Sequence, residues 1–137
     1  MIITQQLIQD LSFKIIGSAI EVHKQLGPGL LETVYEDCLV YELEARGLKV
    51  RSQIQIPVVY KGKSLGSPLK LDLLVEDLII VEIKAVENMI PLYEAQLLSY
   101  LKLANKVKGL LINFHCSTIR SQLISLVTAE YARLPVE

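Results

Sequence analysis

Apolar residues recur at three- and four-residue spacing from about Thr4 to Gln25, at Leu7, Ile8, Leu11, Ile15, Ala19 and Val22, with Leu26 just beyond. That spacing predicts a helix with one buried face. Gly27-Pro28-Gly29 then ends the pattern, because proline disfavours a helical residue before it and the glycines admit unusual backbone angles. A second helix is predicted from about Leu30 to Arg46, with Leu31, Val34, Tyr35, Cys38, Leu39 and Leu43 on its inner side and Gly47 as its stop. Val50 to Tyr60 alternates around Gln53-Ile54-Gln55-Ile56, a strand with one wet face, and Lys61 to Pro68 has the composition of a turn. Leu69 to Val75 and Leu78 to Val86 read as two strands. Only Glu76-Asp77 separates them, so an antiparallel hairpin is the cheapest connection. After Pro91 a helix over Leu92 to Ala104 leads into the apolar strand Leu110 to Phe114. Ser117 to Val127 is read as a further strand, although its apolar positions also suit a helix. The order helix, helix, strands, helix, strand predicts an α/β fold, helices flanking one mixed central sheet.

Composition narrows this picture in three ways. At 137 residues, half of them apolar, the chain has the commonest size for one domain and buries a core without disulfides. Fourteen basic against fifteen acidic residues give a net charge of −1, so any contact with a polyanion must come from a local patch. Cys38 and Cys116 have neither CxxC spacing nor a secreted disulfide framework. With no leader-like N-terminus and no apolar run of membrane-spanning length, the expectation is a cytoplasmic chain that does not enter a membrane.

One segment departs from ordinary patterning. Leu78-Ile79-Ile80-Val81-Glu82-Ile83-Lys84-Ala85-Val86 is apolar enough for a central strand, yet it carries an acid and a base. Two residues apart on a strand, Glu82 and Lys84 point to the same face. Asp72 lies on the partner strand, and it shares that face only if it opposes Glu82. That requires a three-residue loop centred on Asp77, or a bulge; a two-residue turn would put the carboxylates on opposite faces. Two converging carboxylates repel each other, and an oxygen-seeking Mg²⁺ ion offsets the repulsion. A lysine beside them can stabilise charge developing on a phosphate. The same three residues also suit a solvated sheet face with ordinary ion pairs, and spacing alone leaves both readings open.

Asp72 followed by Glu82-Ile83-Lys84 resembles the PD-(D/E)XK nuclease motif, an acid on one strand and (D/E)xK on the next. Gly29-Leu30-Leu31-Glu32-Thr33-Val34-Tyr35 is similar to the signature of the GxxExxY family of that superfamily, as is the preceding Glu21 to Pro28. Gln96-Leu97-Leu98-Ser99-Tyr100 resembles the QxxxY helix of RecB-like nucleases, and Leu111-Ile112-Asn113-Phe114 the closing strand. The resemblance covers nearly the whole chain and implies one restriction-endonuclease-like domain over residues 1–137. It departs from the pattern at Leu69-Lys70-Leu71, where a proline or arginine often precedes the acid, and near Arg120, where a glycine and a further arginine are expected.

The resemblance implies Mg²⁺ or Mn²⁺ held by Asp72, Glu82, Glu32 and the Ile83 carbonyl, with Lys84 as catalytic base. Gln96 and Tyr100, four apart on one helix face, would flank the metal and touch Lys84 or a phosphate oxygen. The implied function is hydrolysis of nucleic-acid phosphodiester bonds, DNA before RNA. The alternative is a nuclease-fold module of little or no turnover that serves as a binding or oligomeric accessory protein, and a homodimer stays open. Several residues also have simpler roles. Glu32 favourably meets a helix dipole. Tyr35 covers the core while its hydroxyl reaches a carboxylate. Gln96 and Tyr100 edge a core helix, His23 closes a helix, and His115 sits in a loop. Lys61, Lys63 and Lys70 form a solvated lysine cluster or contact phosphates.

Overall fold

The computed structural model describes residues 2–137, the side chain of Ser67 excepted. Helix α1 (Gln5–Leu26) begins where the Thr4 hydroxyl accepts the Leu7 N–H at 3.1 Å. It ends where Gly27 turns to φ 70° and its N–H returns to the His23 carbonyl. Helix α2 (Glu32–Ala45) follows. Strands β1 (Val50–Tyr60), β2 (Lys63–Val75) and β3 (Ile79–Lys84) form an antiparallel meander. Helix α3 (Pro91–Ala104) crosses over to β4 (Lys108–Asn113), which pairs in parallel with β3; one helical turn, α4 (Ile119–Gln122), precedes β5 (Ile124–Val127), antiparallel to β4. Among the described residues the sheet order is β1-β2-β3-β4-β5.

Each face of the sheet has its own apolar cluster. On one side α1 and α2 bury Ile8, Ile15, Leu39 and Leu43 against Leu73, Val81, Leu110 and Phe114; on the other, α3 buries Leu97 and Leu101 against Leu74, Ile80 and Leu111. Three layers result, as the order of elements predicts. Two boundaries differ from expectation. Only Lys61-Gly62 turns, both with positive φ (51° and 79°), a two-residue hairpin turn of the primed type. Lys63 onward therefore pairs with β1 instead of forming a loop, and the irregularity moves to a bulge at Pro57, facing Gly66 to Pro68. The segment Ser117 to Val127 divides into a helical turn and a strand, because Ile119 enters the α1 side of the core before the chain can extend along β4.

Tyr35 is fully buried and stacks on Phe114, ring centroids 4.6 Å apart. Its hydroxyl goes to the backbone of the loop ahead of α2, not to a carboxylate: it donates to the Gly27 carbonyl at 2.6 Å and accepts the Leu30 N–H at 3.1 Å. One side chain thus fixes the Gly27-Pro28-Gly29 turn and the entry to α2. His23 does a similar job from α1, its Nε2 donating to the Cys116 carbonyl at 2.8 Å. Tyr35→Phe keeps the stacking and strands two loop groups, so it is expected to lower unfolding stability by about 1–2 kcal/mol in urea titration; an unchanged midpoint would show that water replaces the hydroxyl without loss.

Candidate metal centre at the fork of the sheet

The β2–β3 loop is Glu76-Asp77-Leu78, three residues centred on Asp77, and the ladder runs Val75↔Ile79, Leu74↔Ile80, Leu73↔Val81. The next pair in that register is Asp72 and Glu82, and there the ladder stops. Beyond it β2 stays with β1 while β3 stays with β4 as far as Lys84↔Asn113, so the sheet forks. At the fork the two acids replace the missing backbone bonds. Glu82 Oε2 accepts the Asp72 N–H, and Asp72 Oδ2 accepts the Ile83 N–H, both at 2.8 Å. Since N–H and C=O of an extended residue point the same way, the Ile83 carbonyl faces this gap too, whereas the Lys84 carbonyl accepts from Phe114 on the β4 side.

The fork also reverses the faces of the outer strands. Leu73 and Leu71 are two apart, yet they belong to the α1/α2 cluster and the α3 cluster respectively. In β1, Val50 packs on the first cluster and Ile54 and Ile56 on the second. The reversal falls at Gln53, which would face Asp72 in the ladder and has φ 51°. Half-buried Asp72 is therefore reached from both layers. From the α2 side come Glu36 and Gln53, whose Nε2 donates to Glu36 Oε1 at 2.7 Å. From the α3 side comes Tyr100.

Glu82 is only 7% exposed. Burial first, and then the Asp72 charge, push its carboxyl up to about 8, with Glu36 adding to the rise and Lys84 opposing it. Burial, followed by the Glu82 and Asp72 charges, raises the Tyr100 hydroxyl. Glu36 is raised by burial against the Gln53 bond, with Asp72 a further cause. Lys84 shares the face of Glu82, its Nζ 4.5 Å from the centroid of the Tyr93 ring on α3. Glu32 is exposed in the first turn of α2 and its charge is felt by Glu36; Gln96 is exposed on α3. Among the described residues no three His, Cys, Asp or Glu side chains gather closely enough to hold a metal ion. The donor set at the fork is thus two carboxylates and the Ile83 carbonyl. It suits Mg²⁺, which commonly takes one or two carboxylates and completes its shell with water and substrate phosphate.

Three residues here escaped sequence reasoning. Glu36 sits one turn beyond Glu32 and carries the only signal it could, the helical spacing from that residue. Gln53 is marked by nothing but its place in an alternating strand. Asn113 is fully buried at the end of β4. Its Oδ1 accepts the N–H groups of Val86 and His115 (both 3.1 Å), and its Nδ2 donates to the Val86 carbonyl (2.9 Å) and Gln122 Oε1 (2.7 Å). It ties down the chain just past Lys84, and an asparagine in an apolar strand was the available hint. A cavity of about 500 Å³ lies elsewhere, between α1 and the β2–β3 loop, and none of Asp72, Glu82 and Lys84 lines it.

Paired acids and a lysine at the split of a mixed sheet between helices place the chain among α/β proteins with a charged fork at the sheet's centre. The family model of the PD-(D/E)XK nuclease superfamily matches residues 9–126, and the chain belongs to that superfamily. Its sheet between helices is the restriction-endonuclease-like fold expected from the sequence. Neither the curated proteins nor the solved structures compared with the chain gave a match. No helix among the described residues is long and apolar enough to cross a membrane.

The raised Glu82 carboxyl has a signed consequence for stability without metal. The folded state holds a proton that the unfolded chain, at 4.5, has released, so stability is full below about 4.5 and declines as pH rises towards about 8. Melting temperatures in EDTA should fall across that window and level off above it, and Glu82→Gln should remove that component of the slope. An identical pH profile for the two proteins would place the titration elsewhere.

Proposed function

We propose that the chain is a metal-dependent nuclease that hydrolyses nucleic-acid phosphodiester bonds at the Asp72/Glu82 fork, and that it belongs with the GxxExxY group of its superfamily. The reading rests on one observation: two carboxylates are held together, one of them buried and pushed up to about 8, with no acid-neutralising base other than Lys84 among the charges that perturb it. Mg²⁺ or Mn²⁺ held by Asp72, Glu82 and the Ile83 carbonyl supplies Lewis-acid stabilisation of charge building on the phosphate.

The chain's own residues do the rest. Lys84, steadied over the Tyr93 ring, sits on the Glu82 face, where its amine takes the proton of the attacking water and its ammonium form steadies the phosphate. Asp72 and Glu82 keep one oxygen each on the opposite strand's N–H, which fixes the remaining oxygens without relying on mobile side chains. Glu36, held by Gln53, adds its charge to that of the two acids from the α2 side without joining the metal's donors, and Glu32 stands one turn before it on the same helix. Tyr100, whose hydroxyl feels both acids, meets the phosphate from the α3 layer as a donor, with Gln96 one turn earlier on that helix. Two half-buried free cysteines fit a reducing cytoplasm.

The test is cleavage of labelled DNA and RNA with Mg²⁺ or Mn²⁺, paired with calorimetric metal titration. Wild type should bind metal and cut, and Lys84→Ala should lose roughly 10²-fold or more in rate while still binding metal. Asp72→Asn with Glu82→Gln should lose both. A wild type that binds no metal and cuts nothing would leave a binding module of the same fold.

A further inference from the structure

Beyond the fork, β1 and β2 continue together as a two-stranded arm, Ile54 to Tyr60 against Lys63 to Leu71, closed by the tight Lys61-Gly62 turn. Seven residues of strand give it a length of about 23 Å. Its base leans on the α3 cluster through Ile54 and Ile56. Towards its end Val59, Tyr60 and Leu65 are about half exposed.

The charge of this arm differs in kind from the rest of the chain. From Arg51 to Leu71 there are four basic residues, Arg51, Lys61, Lys63 and Lys70, and no acid, leaving ten basic and fifteen acidic residues for the remainder. Lys61, Lys63 and Lys70 are exposed, and among the described residues none forms an ion pair. A segment positive against an acidic background attracts a polyanion locally where the whole chain does not. The strand that carries Lys63 and Lys70 runs straight into Asp72, so whatever phosphate chain the lysines hold is delivered to the fork.

The partner's form follows from the arm's shape. A two-stranded ribbon fits the major groove of B-form DNA, about 12 Å wide, whereas the deep, narrow major groove of an A-form RNA helix excludes side chains. Single strands are generally held by successive stacking aromatics, and the arm offers one, Tyr60, with the Lys61 Nζ 5.5 Å from its ring centroid. We propose that the β1–β2 arm docks on double-stranded DNA, its three lysines gripping phosphates while the ribbon lies along the major groove. This names the substrate class for the nuclease reading above and rests on it for the role of the fork.

The experiment measures fluorescence anisotropy of a short labelled DNA duplex with the full chain in EDTA, across a range of potassium chloride concentrations. The comparison is the triple variant Lys61→Ala, Lys63→Ala, Lys70→Ala, checked for an unchanged melting temperature. With three phosphate contacts removed, the slope of log K against log salt should become shallower by about 2.7, and affinity at low salt should fall tenfold or more. An RNA duplex of the same sequence should bind at least tenfold more weakly than the DNA. Wild-type slope in the variant overturns the arm's role, as do equal affinities for the two duplexes, stronger binding of a single strand, or an arm that only joins two copies in light scattering. The two readings fail separately. Cleavage by wild type with duplex binding indifferent to the lysines removes the arm and keeps the nuclease; lysine-dependent duplex binding with no cleavage in any metal does the reverse.

Discussion

Everything that gives this fold a centre depends on the place where β2 stops pairing with β3. A ladder that ends inside a protein leaves N–H groups without partners, and an unpaired buried donor costs about 1–3 kcal/mol. Here the N–H groups of Asp72 and Ile83 are satisfied across the gap by carboxylates, each acid bonding the opposite strand. The repair places two acidic groups side by side under cover. A neutral side chain could have filled the same hydrogen-bonding role, but it would bring no affinity for a cation. The burial that raises Glu82, reinforced by repulsion from Asp72, is thus the structural counterpart of a place that would favour a positively charged neighbour.

The surrounding elements serve that fork from both sides. The parallel β3–β4 pair, made possible by the α3 crossover, carries Glu82 and Lys84 and anchors the chain past Lys84 through Asn113. The β1–β2 ribbon carries Asp72 and reverses its faces at Gln53, which lets α2 and α3 each bring a side chain towards the same pair of acids. Tyr35 works at a distance: by pinning the glycine-proline-glycine turn it sets where α2 starts, and hence where Glu36 stands one turn later. Its place in the GxxExxY-like signature is therefore explained by packing and loop geometry.

Most of the architecture was legible because it is written in periodicity. The helices α1 to α3 follow from three-and-four spacing with glycine or proline at their ends. The hairpin register follows from a chemical requirement: only a loop of odd length lets Asp72 meet Glu82, and the loop has three residues. What escaped was set by tertiary context. Lys63 to Pro68 has the composition of a loop, yet a two-residue turn and a bulge at Pro57 let it pair. Glu36 looks like any glutamate on a wet helix face until the fork brings Asp72 beneath it, and Gln53 gains its part only through a left-handed backbone that no alternation rule detects.

The irregularities of β1 have a further effect on how the molecule behaves in a crowd of its own kind. As the outermost strand it is eleven residues long and would present an open row of peptide groups to any passing chain. The left-handed residue at Gln53 and the bulge at Pro57 cut that row into three runs of three residues, Val50 to Ser52, Ile54 to Ile56 and Val58 to Tyr60. None of the three runs is long enough to template a foreign strand, so the kinks that shape the fork also guard the sheet against edge-to-edge aggregation.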